Sequence, residues 1–164
     1  MLPFVTIAVI ILLVAVDQVI KLICLNNLEP IGSISLIKNV LSLTYIENTG
    51  AAFGSFHGYT TALSILTTLV LLVGLVYLLS GRVRKKIPYF ALTAVFAGGI
   101  GNLIDRVFRG YVIDYIEPKF VDFAVFNFAD ILVTCGAIVL IVYLLYQMFA
   151  DSRKERKEKS NEQH

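Results

Sequence analysis

Histidine and cysteine, the side chains on which hydrolytic triads and zinc sites most often depend, are scarce in this chain. The two histidines are His57, at the edge of a loop, and His164, the last residue, so neither is placed to act as a triad base. The two cysteines, Cys24 and Cys135, lie within apolar runs and show neither disulfide nor metal-ligand spacing. These absences argue against serine or cysteine hydrolysis and against a metal site, and no cofactor is expected. Carboxylates and amides remain as candidate groups.

Charge is also sparse. Charged residues form 16% of the chain and hydrophobic residues 57%, an apolar share above that of a typical soluble domain. The excess is concentrated in four blocks, each long enough to cross about 30 Å of hydrocarbon. We therefore predict one all-α membrane domain over residues 1–150, followed by a charged tail over 151–164 that is frayed or disordered. Its transmembrane helices are predicted at about 2–25, 59–79, 88–104 and 128–149, with Pro88 in the first position of the third.

The longest segment outside these helices, residues 28–58, has a different pattern. Residues 35–38 and 41–45 alternate and are rich in strand formers, which predicts two or three short strands. We expect them to form a small β-rich cradle between the first and second helices. The glycine and small residues that follow Asn48 would let the backbone approach another element closely, although a plain turn has the same composition.

Basic side chains are unevenly distributed between the two ends of the predicted helices. The turn between the second and third helices and the C-terminal tail carry most of them, whereas the other end carries four, spread over two longer segments. Because short basic segments stay in the cytoplasm, we predict that both termini are cytoplasmic. The 28–58 cradle and the segment around Asp114 would then be extracytoplasmic.

Ionisable residues next to the predicted helices are the main functional candidates, because burying them beside hydrocarbon is costly. Asp17 and Lys21 lie four residues apart within the first helix, so they can form a buried salt bridge or help to order a site. On the third helix, Asn102 and Asp105 share one face with small glycines, a pattern typical of close helix packing. The stretch from 98 to 130 holds five acids, which are Asp105, Asp114, Asp122, Asp130 and Glu117.

Two carboxyl groups held close together cannot both ionise cheaply, so they share a proton and supply an acid and a base. Such a pair can activate water for attack on an amide carbonyl. Asp130 lies just after Asn127, the predicted N-cap of the fourth helix, and the amino end of a helix favours a charged carboxylate. Spacing alone leaves open which aspartates pair. Asp105 stays a candidate, although its neighbour Arg106 indicates an ion pair and the end of a helix.

Five stretches in these regions match one known pattern in order. The chain resembles the lipoprotein signal peptidase family (signal peptidase II) over almost all of its length. The matching stretches are DQVIK from Asp17, NTGAAF from Asn48, GGIGNLIDR from Gly98, VIDY from Val112 and FNFAD from Phe126. Two positions depart from the family pattern, since Tyr115 stands where phenylalanine is more usual and Ala124 where proline is often found.

The resemblance implies an aspartic endopeptidase of the bacterial plasma membrane, with its active site at the extracytoplasmic face. It would remove signal peptides from diacylglyceryl-modified prolipoproteins, cutting on the amino side of the lipidated cysteine. Its partners would be these substrates, membrane lipid and the inhibitor globomycin, with no nucleic acid, and the chain is expected to be a monomer. The implied site residues are Asp114 and Asp130 as catalytic aspartates, Asn48, Gly50, Asn102, Arg106 and Asn127 as binding or ordering residues, and Asp17, Lys21 and Asp105 as supporting residues.

Two other classes of function fit a small four-helix membrane protein. A proton-coupled transporter would place its key carboxylate near the bilayer midplane, whereas the acids here gather towards one end of the helices. A structural assembly subunit would tolerate asparagine in place of Asp114 and Asp130.

Overall fold

The computed structural model describes residues 2–50, 60–83 and 85–161. Residues 51–53 of the motif that begins at Asn48, and the predicted start of the second helix at residue 59, lie outside the described residues.

Four long helices in the described residues confirm the predicted helical membrane fold. Each contains an apolar segment of a length and composition that can cross a membrane. They are α1 (Leu2–Asn27), α2 (Thr60–Leu79), α3 (Lys86–Phe108) and α4 (Phe128–Asn161). A short 3₁₀ helix, Glu29–Ile31, follows α1.

The third helix is longer at both ends than predicted. It begins at Lys86, so Pro88 occupies its third position, where the missing N–H has no intrahelical partner to lose. It continues past Asp105 to Phe108, and Gly110 follows the C-cap residue with a φ of 84°, a conformation that favours glycine and stops the helix. Asp105 therefore lies inside the helix rather than at its end.

The structure also differs from the prediction in the tail. The fourth helix continues to Asn161, over most of the segment predicted to be frayed or disordered. The sequence after residue 150 is rich in lysine, arginine and glutamate and contains neither proline nor glycine. These residues have high helix propensity, so a helix that leaves the membrane can continue into water.

The third helix is the centre of the bundle. Half of its membrane-length segment is buried, compared with 22% for α1 and 11% for α2 and α4. Two glycines allow the closest approach between α3 and α4. A Cβ atom on Gly98 would lie 2.3 Å from the Ala129 carbonyl oxygen, and one on Gly136 would lie 2.6 Å from that of Ala91. The other helices turn many large apolar side chains outward, as a lipid-facing surface requires.

We expect Gly98→Ala to destabilise the protein, because the added methyl group would meet a backbone oxygen that cannot move without separating α3 from α4. Overpacking of this kind lowers the free energy of unfolding by about 1–3 kcal/mol. Thermal unfolding in detergent measures the change. Gly99→Ala is the matched control. The methyl group added there would lie 2.8 Å from the flexible end of the Leu71 side chain, so this variant should lose less stability. Equal losses for the two variants would contradict this account of the helix contact.

A small antiparallel sheet lies against the end of the bundle, with strand order β1-β2-β3. Two strands, β1 (Ser33–Ile37) and β2 (Leu41–Asn48), lie within the segment predicted to form strands. The third, β3 (Val112–Pro118), comes from between α3 and α4, so the prediction of a cradle built between the first two helices alone was incomplete. The sequence of β3, VIDYIEP, contains residues that favour a strand, but its two acids interrupt the apolar pattern.

The register of the sheet places the two polar segments side by side. Asn48 is paired with Val112 and Ile46 with Asp114, so the end of β2 lies beside the start of β3. Ile113 and Tyr115 pack against Cys24 and Leu28 at the end of α1 in a buried apolar cluster. The sheet is thereby attached to the helix bundle.

Candidate active site

The predicted polar residues meet at the end of the bundle where α1 and α3 end and α4 begins, next to β2 and β3. A cavity of about 380 Å³ opens there. Its wall includes Asp114 and Asp130, together with three of the predicted ordering residues, Asn48, Asn102 and Arg106.

Asp114, in β3, is almost completely buried, with 2% of its surface exposed. One of its carboxylate oxygens, Oδ2, accepts a hydrogen bond from Asn48 Nδ2 at 2.9 Å. The other, Oδ1, accepts from Asn127 Nδ2 at 2.6 Å. The strand register therefore supplies one donor and the start of α4 supplies the other.

Asp130, the third residue of α4, is held in a different way. Its Oδ1 accepts a hydrogen bond from Asn102 Nδ2 at 2.8 Å, and its Oδ2 accepts from the backbone N–H of Asn127 at 3.0 Å. Asn127 Oδ1 in turn accepts from the backbone N–H of Asp130 at 3.0 Å. This reciprocal pair is a helix-capping arrangement, so the predicted N-cap role of Asn127 is confirmed.

Asn127 is the residue that joins the two carboxyl groups. Its side chain is fully buried, donates to Asp114, and accepts from the backbone of Asp130. Both aspartates line the same cavity, whereas Asp105 does not. Of the pairings that spacing leaves open, the geometry thus favours Asp114 with Asp130.

Burial raises the pKa of Asp114 to about 6, and the nearby charge of Asp130 adds to the increase. The hydrogen bonds from Asn48 and Asn127 act in the opposite direction, because they stabilise the carboxylate. Asp114 therefore keeps a proton at pH values where an ordinary aspartate is ionised, as a candidate general acid requires.

Arg106 contacts the chain that follows β2 instead of pairing with Asp105. Its Nη2 donates to the carbonyl oxygen of Gly50 at 3.0 Å, and the N–H of Gly50 donates to Asn48 Oδ1 at 2.9 Å. The predicted ion pair with Asp105 is wrong, because consecutive helix residues project about 100° apart. Arg106 faces the cavity, whereas Asp105 faces α1.

A cluster of buried charges lies behind the cavity. The Lys21 ammonium lies 2.9 Å from Asp17 Oδ2 and 2.8 Å from Asp105 Oδ2, and all three side chains are fully buried. Arg109 Nη1 lies 2.5 Å from Asp105 Oδ1, so the cluster contains two positive and two negative groups. The predicted Asp17–Lys21 salt bridge is confirmed. A role of these residues in ordering the site remains a prediction.

The first backbone N–H groups of α4 are bonded by side chains from three different segments. Tyr115 in β3 accepts from Phe128 N at 3.1 Å, and Asp17 in α1 accepts from Ala129 N at 3.1 Å. The side chain of Asn127 accepts from the following N–H group, that of Asp130. These N–H groups have no partner within the helix, so the three contacts hold the amino end of α4, and Asp130 with it, in place.

Sequence reasoning missed several residues at this site. The hydroxyl group of Tyr115 and the guanidinium of Arg109 were not assigned contacts, although the departure from phenylalanine at Tyr115 was a visible signal. The cavity wall formed by residues 123–126 was not predicted either.

Glu117 lies away from the site and pairs with Lys119 at 2.6 Å. In the part of the chain that the structure describes, no group of three His, Cys, Asp or Glu residues could hold a metal ion.

Membrane-length helices and a pair of carboxyl groups joined through amide side chains over one cavity define an integral membrane protein with a carboxylate-based candidate active site. The family profile described as "Signal peptidase (SPase) II" matches residues 9–146. The chain therefore belongs to the signal peptidase II family and is a multi-pass membrane peptidase.

Individual relatives agree with this assignment. A lipoprotein signal peptidase of Clostridium acetobutylicum is 39% identical over 147 residues, covering 88% of this chain and 94% of the relative. A lipoprotein signal peptidase of Lactococcus lactis subsp. lactis is 36% identical, and the match covers 85% of this chain and 93% of the relative. A bacterial membrane enzyme solved by the in meso method superposes with a TM-score of 0.80 at 34% identity, covering 88% of this chain and 89% of that one.

Proposed function

We propose that this chain is an aspartic endopeptidase of the bacterial plasma membrane that removes signal peptides from prolipoproteins. Its substrate carries a diacylglyceryl-modified cysteine, and the bond broken is the one on the amino side of that cysteine. The relatives named lipoprotein signal peptidases support the substrate class. The observation that carries the mechanism is the Asn127 bridge, which holds Asp114 and Asp130 at one cavity.

The two aspartates take different parts in the reaction. Asp114 is buried and keeps its proton to about pH 6, so it donates that proton to the oxygen of the scissile carbonyl. Asp130 accepts N–H bonds from Asn102 and Asn127, an arrangement that suits a carboxylate, and it removes a proton from the attacking water. The tetrahedral intermediate then collapses as the proton taken from water passes from Asp130 to the leaving amine, and a hydroxyl proton of the intermediate returns to Asp114.

The remaining wall of the cavity suits a substrate that stays partly in the bilayer. Below Asp130 the wall continues along α4 through Ile131, Val133 and Cys135, all within the membrane-length segment. The acyl chains and the apolar signal peptide can therefore remain in hydrocarbon while the scissile bond lies beside the aspartates. Arg106 and Asn48 fix the chain after β2 at the mouth of the cavity through their contacts with Gly50.

The excess of basic residues at the opposite end of the bundle supports an extracytoplasmic site. The α2–α3 turn and the C-terminal part of α4 carry most of the lysines and arginines. Under this orientation both termini are cytoplasmic and the sheet lies on the outer side. The family resemblance also predicts inhibition by globomycin, and we expect the chain to act as a monomer.

Cleavage of a synthetic prolipoprotein by the purified protein tests this function. The diacylglyceryl-modified substrate should yield a product whose first residue is the modified cysteine, as mass spectrometry of both fragments would show. The same peptide with an unmodified cysteine is the control and should be cleaved much more slowly. Cleavage at another bond, or equal cleavage of both substrates, would contradict the proposed specificity.

The pH dependence of kcat/KM should reflect the proton on Asp114. Below about pH 6 this carboxyl group is protonated and can act as the acid, and above that pH it is ionised. We therefore expect kcat/KM, which reports the free enzyme, to fall as pH rises through about 6. Asn48→Ala removes a hydrogen bond that stabilises the carboxylate, so it should move this fall to higher pH. A shift to lower pH would contradict the assignment of the acid.

A further inference from the structure

The ammonium group of Lys21 has three acceptors around it, although it lies outside the cavity. These are Asp17 Oδ2 at 2.9 Å, Asp105 Oδ2 at 2.8 Å and the side-chain carbonyl oxygen of Asn102 at 2.9 Å. The first two contacts are ion pairs, and the contact with Asn102 is a hydrogen bond donated by the ammonium. Two of the partners are explained by charge, and the third is an uncharged amide that also contacts Asp130.

The contact with Lys21 decides which way the Asn102 amide points. Its Oδ1 accepts from Lys21 Nζ at 2.9 Å and from Asn127 Nδ2 at 3.2 Å, which leaves Nδ2 to donate to Asp130 Oδ1 at 2.8 Å. The two ends of an amide have nearly the same shape but opposite hydrogen-bonding roles. With the amide reversed, an NH₂ group would face an ammonium and a carbonyl oxygen would face a carboxylate. The buried charge therefore favours the orientation that gives Asp130 a donor.

The same orientation extends to the second aspartate through Asn127. Its Nδ2 donates to both Asn102 Oδ1 and Asp114 Oδ1, and its Oδ1 accepts from the backbone N–H of Asp130. Each end of the Asn127 amide thus has partners of the matching type. A change in the orientation of Asn102 would place a donor against the donor of Asn127.

We propose that Lys21 is a positioning residue of the candidate active site, whose buried ammonium fixes the Asn102 amide so that Asp130 receives a hydrogen bond. This inference rests on the proposed function and adds the reason why a charged residue is buried one layer behind the cavity. Lys21 acts through Asn102 and does not itself touch the reacting atoms.

The charges around Asp114 determine what loss of the ammonium would do. Asp130 on α4 is negative, whereas Lys21 on α1 and Arg106 on α3 are positive. The positive charge of Lys21 favours the ionised form of Asp114, so its removal raises the pKa of that carboxyl further. The buried cluster behind the cavity is completed by Asp17, Asp105 and Arg109.

Lys21→Met tests the inference, because methionine keeps much of the length and the apolar stem but supplies neither charge nor donor. We expect kcat to fall by up to about 100-fold, as when a reacting group is displaced by a substitution that does not touch it. The alkaline fall of kcat/KM should also move to higher pH. If Lys21 only formed a structural salt bridge, Lys21→Met would reduce the folded fraction and leave the pH profile of the remaining enzyme unchanged. That result would overturn the proposal.

A double-mutant cycle separates action through Asn102 from any other route. In an Asn102→Leu background the amide is absent, so Lys21→Met should lower kcat by a further factor of less than about 3, since coupled residues are not additive. An additional loss as large as in the wild-type background would contradict a route through Asn102.

Two further variants keep the test valid if Lys21→Met folds poorly. Lys21→Met/Asp105→Leu leaves Asp17 and Arg109, so the buried cluster stays neutral, and it should show the same upward pH shift. Thr6→Val is the matched structural control, since it breaks the buried hydrogen bond between Thr6 and Tyr89 at 2.5 Å between α1 and α3. It should lower thermal stability without moving the pH profile.

The outcomes distinguish the two proposals. Wild-type protein that fails to cleave the substrate would refute the proposed function. If the wild type is active and the Lys21 variants show no shift in the pH dependence of kcat/KM, the positioning role alone would be refuted.

Discussion

Replacing Asp114 or Asp130 by asparagine is expected to reduce kcat for prolipoprotein cleavage by at least about 10³-fold. Asparagine has nearly the same shape and keeps one acceptor oxygen, but it can neither donate an acidic proton nor remove one from water. Either substitution thus leaves an acid without a base or a base without an acid. Single-turnover cleavage of the diacylglyceryl-modified substrate measures the loss.

The control for this prediction is Asp122→Asn, which removes an exposed carboxylate from the segment between the two aspartates. Its activity should equal that of the wild type. The melting temperatures of Asp114→Asn and Asp130→Asn should stay within about 4 °C of the wild type, which corresponds to roughly 1–2 kcal/mol for a chain of this size. Substantial cleavage by either variant would remove the dyad from the mechanism.

Asp17→Leu is expected to cause the largest loss of stability. Asp17 is fully buried, pairs with Lys21 at 2.9 Å, and accepts the N–H of Ala129 at 3.1 Å. Removing it leaves a buried ammonium with a single carboxylate partner and an uncapped N–H at the start of α4. Breaking a buried ion pair by removal of one partner costs about 3–5 kcal/mol, which thermal or denaturant unfolding in detergent would measure.

Asp17→Asn separates the two contributions. Asparagine can still accept the N–H of Ala129 but does not balance the charge of Lys21, so its loss of stability should be smaller than that of leucine. If Asp17→Leu unfolded with the same free energy as the wild type, the buried cluster would not hold α1 and α4 together.

The helical part of the fold could be predicted from the sequence because each membrane-length apolar run is a local signal. The strand β3 could not, because its acids hide the apolar pattern and its pairing partner lies more than sixty residues earlier. The helical tail was missed for another reason. A high content of charge indicates exposure to water but does not decide between a helix and disorder.

The candidate site shows the same division between local and distant information. The N-cap role of Asn127 and the salt bridge between Asp17 and Lys21 follow from spacing along one helix, and both are present. The family resemblance already implied Asp114 as the partner of Asp130, but a physical reason to prefer it over Asp105 needed the strand register and the orientation of α3. The contact of Tyr115 with the first N–H of α4 joins two segments whose arrangement no spacing rule predicts.

Single-turnover cleavage in H₂¹⁸O tests the central claim most directly, since the two aspartates are proposed to activate water and not to attack the peptide themselves. The new carboxyl group of the released signal peptide should contain one oxygen atom from the solvent in every molecule, as mass spectrometry would show. Unlabelled product, with ¹⁸O found instead in the carboxyl group of Asp114 or Asp130, would show that an aspartate attacks the peptide bond and would contradict the account.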